Sequence, residues 1–84
     1  MLKIKRYVKE FANDRIADIR SYRDRLQRDI DTMNDETREL FDVDNLRQII
    51  AKCDESIEII RHTVQMCEYG YISEFGAVQE ISKV

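Results

Sequence analysis

Residues 46–71 constrain this chain more than any other stretch. Leu46, Ile50, Cys53, Ile57, Ile60, Val64, Cys67 and Tyr71 follow one another at alternating spacings of four and three, with no polar residue in the series. Apolar side chains at that period fall on one stripe of an α-helix, and an unbroken run over more than three heptads is the pattern of a helix-packing seam. In heptad terms Ile50, Ile57, Val64 and Tyr71 are the a positions, and Leu46, Cys53, Ile60 and Cys67 are the d positions. A seam of this kind needs a facing helix, so the rest of the chain is expected to wrap around it.

That facing helix is expected over residues 2–33. Leu2, Ile4, Val8, Phe11, Ala12, Ile16, Ile19, Tyr22, Leu26, Ile30 and Met33 recur at helical spacing, and most lie within one arc at about 100° per residue. The phase slips between Val8 and Ile16, which predicts a packed face rather than a strict zipper. Leu2-Lys3-Ile4-Lys5 also alternates as a strand would, but a lone strand has no partner within the chain. Proline is absent and the only glycines are Gly70 and Gly76, so the turn residues that strands require are missing. The chain reads as all-α.

Punctuation between the helices is local and specific. Asn34 to Phe41 is a polar, acidic connector that can itself form a helical turn. Asp42 is the expected N-cap of the second helix, about 43–69, with Phe41 and Leu46 at the staple positions and Asp44 in the first turn. Gly70 suits the left-handed residue that ends it, with Tyr71 folding back towards Met66. Ser73 is the expected cap of a short helix, about 74–82, carrying Phe75, Val78 and Ile81 on one side. The expectation is therefore an antiparallel helical hairpin plus a short C-terminal helix, in a single domain of 84 residues.

A chain of this length buries only about 60–65% of its unfolded surface, which leaves a lone core marginal. Cys53 and Cys67 are fourteen residues apart on one helix, roughly 20 Å, too far for a disulfide within the chain. They are buried thiols or an intersubunit pair, and a reducing, cytoplasmic setting is expected. The basic start, Met1-Leu2-Lys3-Ile4-Lys5-Arg6, lacks the apolar run of a secretory signal, and no stretch is long enough to cross a bilayer. The second helix has more apolar surface than one partner covers, because Ile49 flanks the seam and Ile59 and Met66 form a further spot at position c. A homodimer, two hairpins assembling into a helical bundle, is the expected supplement.

No residue set carries catalytic, cofactor or metal chemistry. Asp42-Val43-Asp44-Asn45 starts like a calcium loop, but Arg47 stands where that loop needs glycine and Cys53 where it needs the bidentate glutamate. Asp29-Ile30-Asp31 fails on the same grounds. His62 lies at outward position f, and one histidine with two cysteines is not a metal set. Nothing basic shares a face with either cysteine to activate it.

Charge is unevenly distributed. Residues 1–28 hold nine Lys/Arg against four acids, a net of +5, while the remaining 56 residues hold five basic and thirteen acidic groups, a net of −8, within a chain of net charge −3. Lys5, Lys9, Arg20 and Arg23 gather on one flank of the first helix, and Asp14, Asp18 and Asp29 on the other. Bases at the start of a helix and acids at its end oppose its dipole, so helix stability did not place them. They pair within the fold, with Glu68, Glu74 and the acidic connector, or they meet an anionic partner. The sequence thus predicts a small helical protein–protein interaction module, accessory or regulatory, using Lys5, Lys9, Arg20, Arg23, Ile59 and Met66 toward itself or a protein with an acidic surface. The alternative is nucleic-acid binding through the basic flank, against which stand the acidic total and the interleaved acids. Those acids also weigh against a membrane surface.

Overall fold

The computed structural model describes residues 6–84. It contains four helices: α1, Arg6–Thr32; α2, Asp35–Leu40; α3, Val43–Glu68; and α4, Glu74–Ser82. Among the described residues the class is all-α, as the periodicity predicts. The expectations that fall on residues 1–5, including the strand-like alternation and Lys5, lie outside them.

α1 and α3 form the antiparallel hairpin. Lys9 meets Glu68 and Arg23 meets Asp54, so fourteen residues forward along α1 correspond to fourteen back along α3. Each helix is about 40 Å long at 1.5 Å per residue. The seam of α3 is buried at Ile50, Cys53, Ile57, Ile60 and Cys67, and half-buried at Leu46 and Val64. Tyr71, last in the heptad series, is 73% exposed. The helix has already ended there: Gly70 adopts φ 81°, its N–H donates to the Cys67 carbonyl, and the Tyr71 N–H donates to that of Met66. This is a Schellman closure, which turns the chain away from the seam.

The other ends are also closed by side chains. Asn34 accepts from the Thr37 N–H, Asp42 from Asn45, and Ser73 from Gly76, each satisfying a donor that a helix start leaves unpaired. The connector is a helix, α2, and it serves α1 as well. The Arg38 guanidinium donates to the carbonyls of Ile30 and Met33, placing a cation on the C-terminal end of α1 where the dipole favours one.

α4 folds back between the N-terminal half of α1 and the C-terminal half of α3. One buried cluster joins Val8, Cys67 and Ala77; the next joins Ala12, Ile60 and Ile81, with Ile16, Ile19, Val64 and Val84 packed against it. The Arg15 guanidinium donates to the Val84 backbone carbonyl, fixing the end of α4 to α1. The face that α4 buries differs from the expected one. Ala77 and Ile81, one turn apart, are buried, Val78 is half-buried, and Phe75 is 70% exposed. Phe75 sits about 200° around the helix from Ala77, so a small alanine rather than the aromatic makes the close approach.

Thr63, at a g position beside the seam, is buried as well. Its hydroxyl donates to the Ile59 carbonyl one turn back, at 2.8 Å, which removes the penalty of placing a polar group there. The molecule measures 53 × 18 × 17 Å, three helices thick where α4 lies and thinner beyond it.

Replacing Ile57 or Ile60, both buried in the seam, by Asp should abolish cooperative folding, because an unpaired charge then occupies an apolar site. Ile60→Ala should cost about 2–5 kcal/mol, and exposed Glu55→Ala under about 0.5 kcal/mol. Chemical denaturation followed by circular dichroism measures all of them, and equal shifts for seam and surface variants would refute the assignment.

Candidate interaction surface

The cleft between α1 and α3 has two sides. α4 fills part of one side. The other carries an open groove of about 560 Å³. Between its walls lie Ala12, Asn13, Ile16 and Ala17 of α1 and Val64 of α3, with Ala12 itself buried. Its rim is charged: Lys9 and Arg20 stand on the α1 wall, Arg61 and Glu68 on the α3 wall. A smaller depression continues from it along the same cleft, sharing Arg20 and Arg61 and adding Arg23, Asp24, Asp54, Ile57 and Glu58. The small side chains of Ala12 and Ala17 are why the surface is concave here.

Three of the residues expected from the sequence therefore do come together. Lys9, Arg20 and Arg23 line one continuous cleft, and the antiparallel register adds Arg61 to them. Their partners differ. Lys9 approaches Glu68 at 3.6 Å. Arg23 Nε donates to Asp54 at 2.8 Å, and Arg23 Nη1 donates to Asp24 at 3.3 Å; the bond to Asp54 is the main reason its guanidinium holds its proton even more firmly than usual. Arg61 pairs with Glu58 one turn back, at 2.8 Å. Arg20 has no carboxylate within 4.0 Å among the described residues. Internal pairing thus occurs at Lys9 and Arg23, as the charge reversal along the hairpin suggests, and passes over Arg20. Among the described residues neither Glu74 nor Arg28 has an ion pair, the expected contacts of Glu74 with Lys3 and Lys5 lie outside those residues, and Arg38 is what the connector offers to α1.

Ile59 and Met66 do not belong to this cleft. They lie about 140–160° around α3 from Arg61, with Ile59 45% exposed and Met66 half-buried. Arg61 is the residue that sequence reading missed. It occupies an e position beside the seam, where charge is ordinary; only the register with α1 sets it across from the basic flank.

Other candidates resolve simply. Cys53 and Cys67 are free and buried, and both thiols are pushed up from the ordinary value, by burial first and then by neighbouring carboxylates: Asp54 for Cys53, Glu74 and Glu68 for Cys67. His62 is exposed. Among the described residues no group of three metal-ligating side chains is brought together, and no helix is long and apolar enough to cross a membrane.

No protein-family model matches the chain, and no curated protein or solved structure is detectably similar to it.

Two measurements check this description. The raised thiols should react slowly with iodoacetamide in the native state and at the ordinary rate once unfolded. A thiol with a folded pKa above its unfolded one stabilises the fold fully below the unfolded value of 9.0, and this stabilisation is lost as pH rises through the folded value. The alkaline fall in melting temperature should accordingly be shallower in Cys53→Ala/Cys67→Ala than in the unaltered chain. Separately, Arg23→Gln should lower the melting temperature slightly and Arg20→Gln should not, since only Arg23 is engaged within the fold; the reverse order would contradict the ion-pair geometry.

Proposed function

We propose that this protein is a small helical protein–protein interaction module that self-associates through helix packing. The observation that carries the reading is the unfinished half of the hairpin. α4 covers α1 and α3 at one end only. Beyond Val84 the cleft stays open, lined by Ile19, Tyr22, Ile49 and Cys53 with Asp18 and Lys52 at its edges. Nearby along the chain, Leu26, Met33 and Leu46 are only half-buried, and Leu40 of α2 is 84% exposed. A lone leucine on a surface means little, but a row of large apolar groups along an uncovered helix pair marks a packing face.

The area supports this. The chain exposes 6267 Å², whereas a compact protein of its mass exposes about 5,300 Å². The excess, about 1,000 Å², belongs to an elongated shape of 53 × 18 × 17 Å and leaves long flanks of the hairpin in water. A second hairpin laid on the uncovered half supplies what a third helix supplies at the other end, and two such hairpins make a four-helix arrangement. An accessory or regulatory role in a reducing, cytoplasmic setting fits two unpaired buried thiols. Nucleic-acid binding is the weaker reading, because Lys9, Arg23 and Arg61 each have an acidic neighbour in the chain.

In sedimentation the mass should be that of two chains, and the melting temperature should rise with protein concentration. Tyr22→Asp together with Ile49→Asp should shift the mass to one chain while retaining helicity. A concentration-independent melt at monomer mass would overturn the proposal.

A further inference from the structure

We infer that the second copy lies antiparallel, each chain setting its uncovered half on that of the other, with α4 as the stop that fixes the register. The inference rests on the reading of the chain as a self-associating module, and assigns the orientation of the pair.

α4 makes the self-associating face stepped. It lies over the half that holds Val8, Ala12 and Cys67, and ends at Val84, beside Ile19, where the open half begins. With a two-fold axis along the helices, α4 of one chain meets α4 of the other. The open halves are then held apart by at least a helix diameter, about 10 Å. Full overlap of antiparallel chains sandwiches α4 between two hairpins. Its exposed outer residues, Gln79, Ser82 and Lys83, then leave water for an apolar cleft, which costs polar desolvation. Half overlap avoids both conflicts. A two-fold axis across the helices, centred on the open half, carries each α4 past the α2 end of the other chain. Tyr22 and Ile49, which line that half, then meet the same patch of the second copy, as an isologous contact requires.

Charge and register agree with this arrangement. Besides its apolar residues, the open half is lined by Asp18 of α1 and Lys52 of α3. Arg25 and Asp29 follow Asp18 and Tyr22 at one heptad each, and so continue the same face of α1. Together with Arg15, which is held by the Val84 carbonyl, the face bears charges of both signs. A face that meets its own copy needs that mixture, because like charges otherwise face each other. Asp29 and Lys52 are exposed, and neither has an ion pair among the described residues.

The open half of α1 runs from Ile19 to Thr32, with its centre near Leu26. Lys9 stands across from Glu68 and Arg23 from Asp54. Lys52 is therefore level with Arg25, just short of that centre, and Asp29 lies just beyond it. A perpendicular axis there lays α1 of each chain on α3 of the other. It brings Asp29 to within about 3 Å, along the helix, of Lys52 of the other chain, and does so twice by symmetry. Arg25, exposed one turn before Asp29, keeps its charged head in water on a long stem.

The test uses the full chain. An equal mixture of unlabelled and ¹⁵N-labelled protein is treated with a carbodiimide, which joins a carboxylate to a lysine amine only where the two touch. Mass spectrometry should find Asp29 joined to Lys52 in peptides of mixed isotope, the mark of a link between chains. Asp29→Lys and Lys52→Glu should each weaken the dimer at least about 10-fold in sedimentation, and the double variant should recover most of that loss. Phe75→Ala, on the exposed side of α4, should change dimer affinity less than about 2-fold. A double variant no tighter than either single one overturns the inference. So does a mixed-isotope link that joins other residues but never Asp29 to Lys52, or a dimer that Phe75→Ala dissociates. Monomer mass in sedimentation overturns self-association itself, whereas two-chain mass without the charge-swap rescue overturns only the orientation.

Discussion

Burial of the α3 stripe against α1 is the interaction on which everything else depends. Ile50, Ile57 and Ile60 are removed from water along a helix that would be marginal by itself, since helices in proteins gain most of their stability from tertiary packing. The hairpin fixes the register in which Lys9 meets Glu68 and Arg23 meets Asp54. Those exposed ion pairs follow from the packing and add little to it. α4 then has a surface to fold onto, and the closures at Gly70 and Ser73 deliver it at the right angle.

The same packing creates the two kinds of free surface. A pair of helices has a cleft on each side, and one helix of nine residues, α4, covers only part of one side. What remains is an apolar half-cleft beyond Val84 and a groove opposite α4 whose rim carries charges of both signs. Their chemistries differ for a simple reason. The apolar half-cleft lies along the stripe itself, with Tyr22 and Ile49 flanking the buried residues. The groove instead runs beside the stripe at its polar margin, where α1 carries its basic flank.

Charge in α1 is best understood at that level. Bases at its N-terminal end and acids near its C-terminal end work against the helix dipole. Arg6 offsets part of this locally through Glu10 at 2.8 Å, Lys9 and Arg23 through α3, and Arg38 of α2 supplies the cation that the C-terminal turn of α1 lacks. Arg20 receives none of these compensations, yet it sits where two depressions meet.

Much of the fold was legible in the residues. The spacing of apolar side chains determines which stripe of a helix is buried, and Asp42, Gly70 and Ser73 mark the ends because capping is a local matter of one side chain or one φ angle. The basic flank was legible too, since Lys9, Arg20 and Arg23 share one side of a single helix. Tertiary structure alone decided the rest. Periodicity cannot say against which side of a hairpin a third helix will lie, so the burial of Thr63 and Ala77 and the exposure of Phe75 had no local signal. Nor can it pair an arginine on α3 with one on α1. Arg61 faces Arg20 because two helices pack antiparallel in one register, and register is set by the sum of contacts along the whole seam.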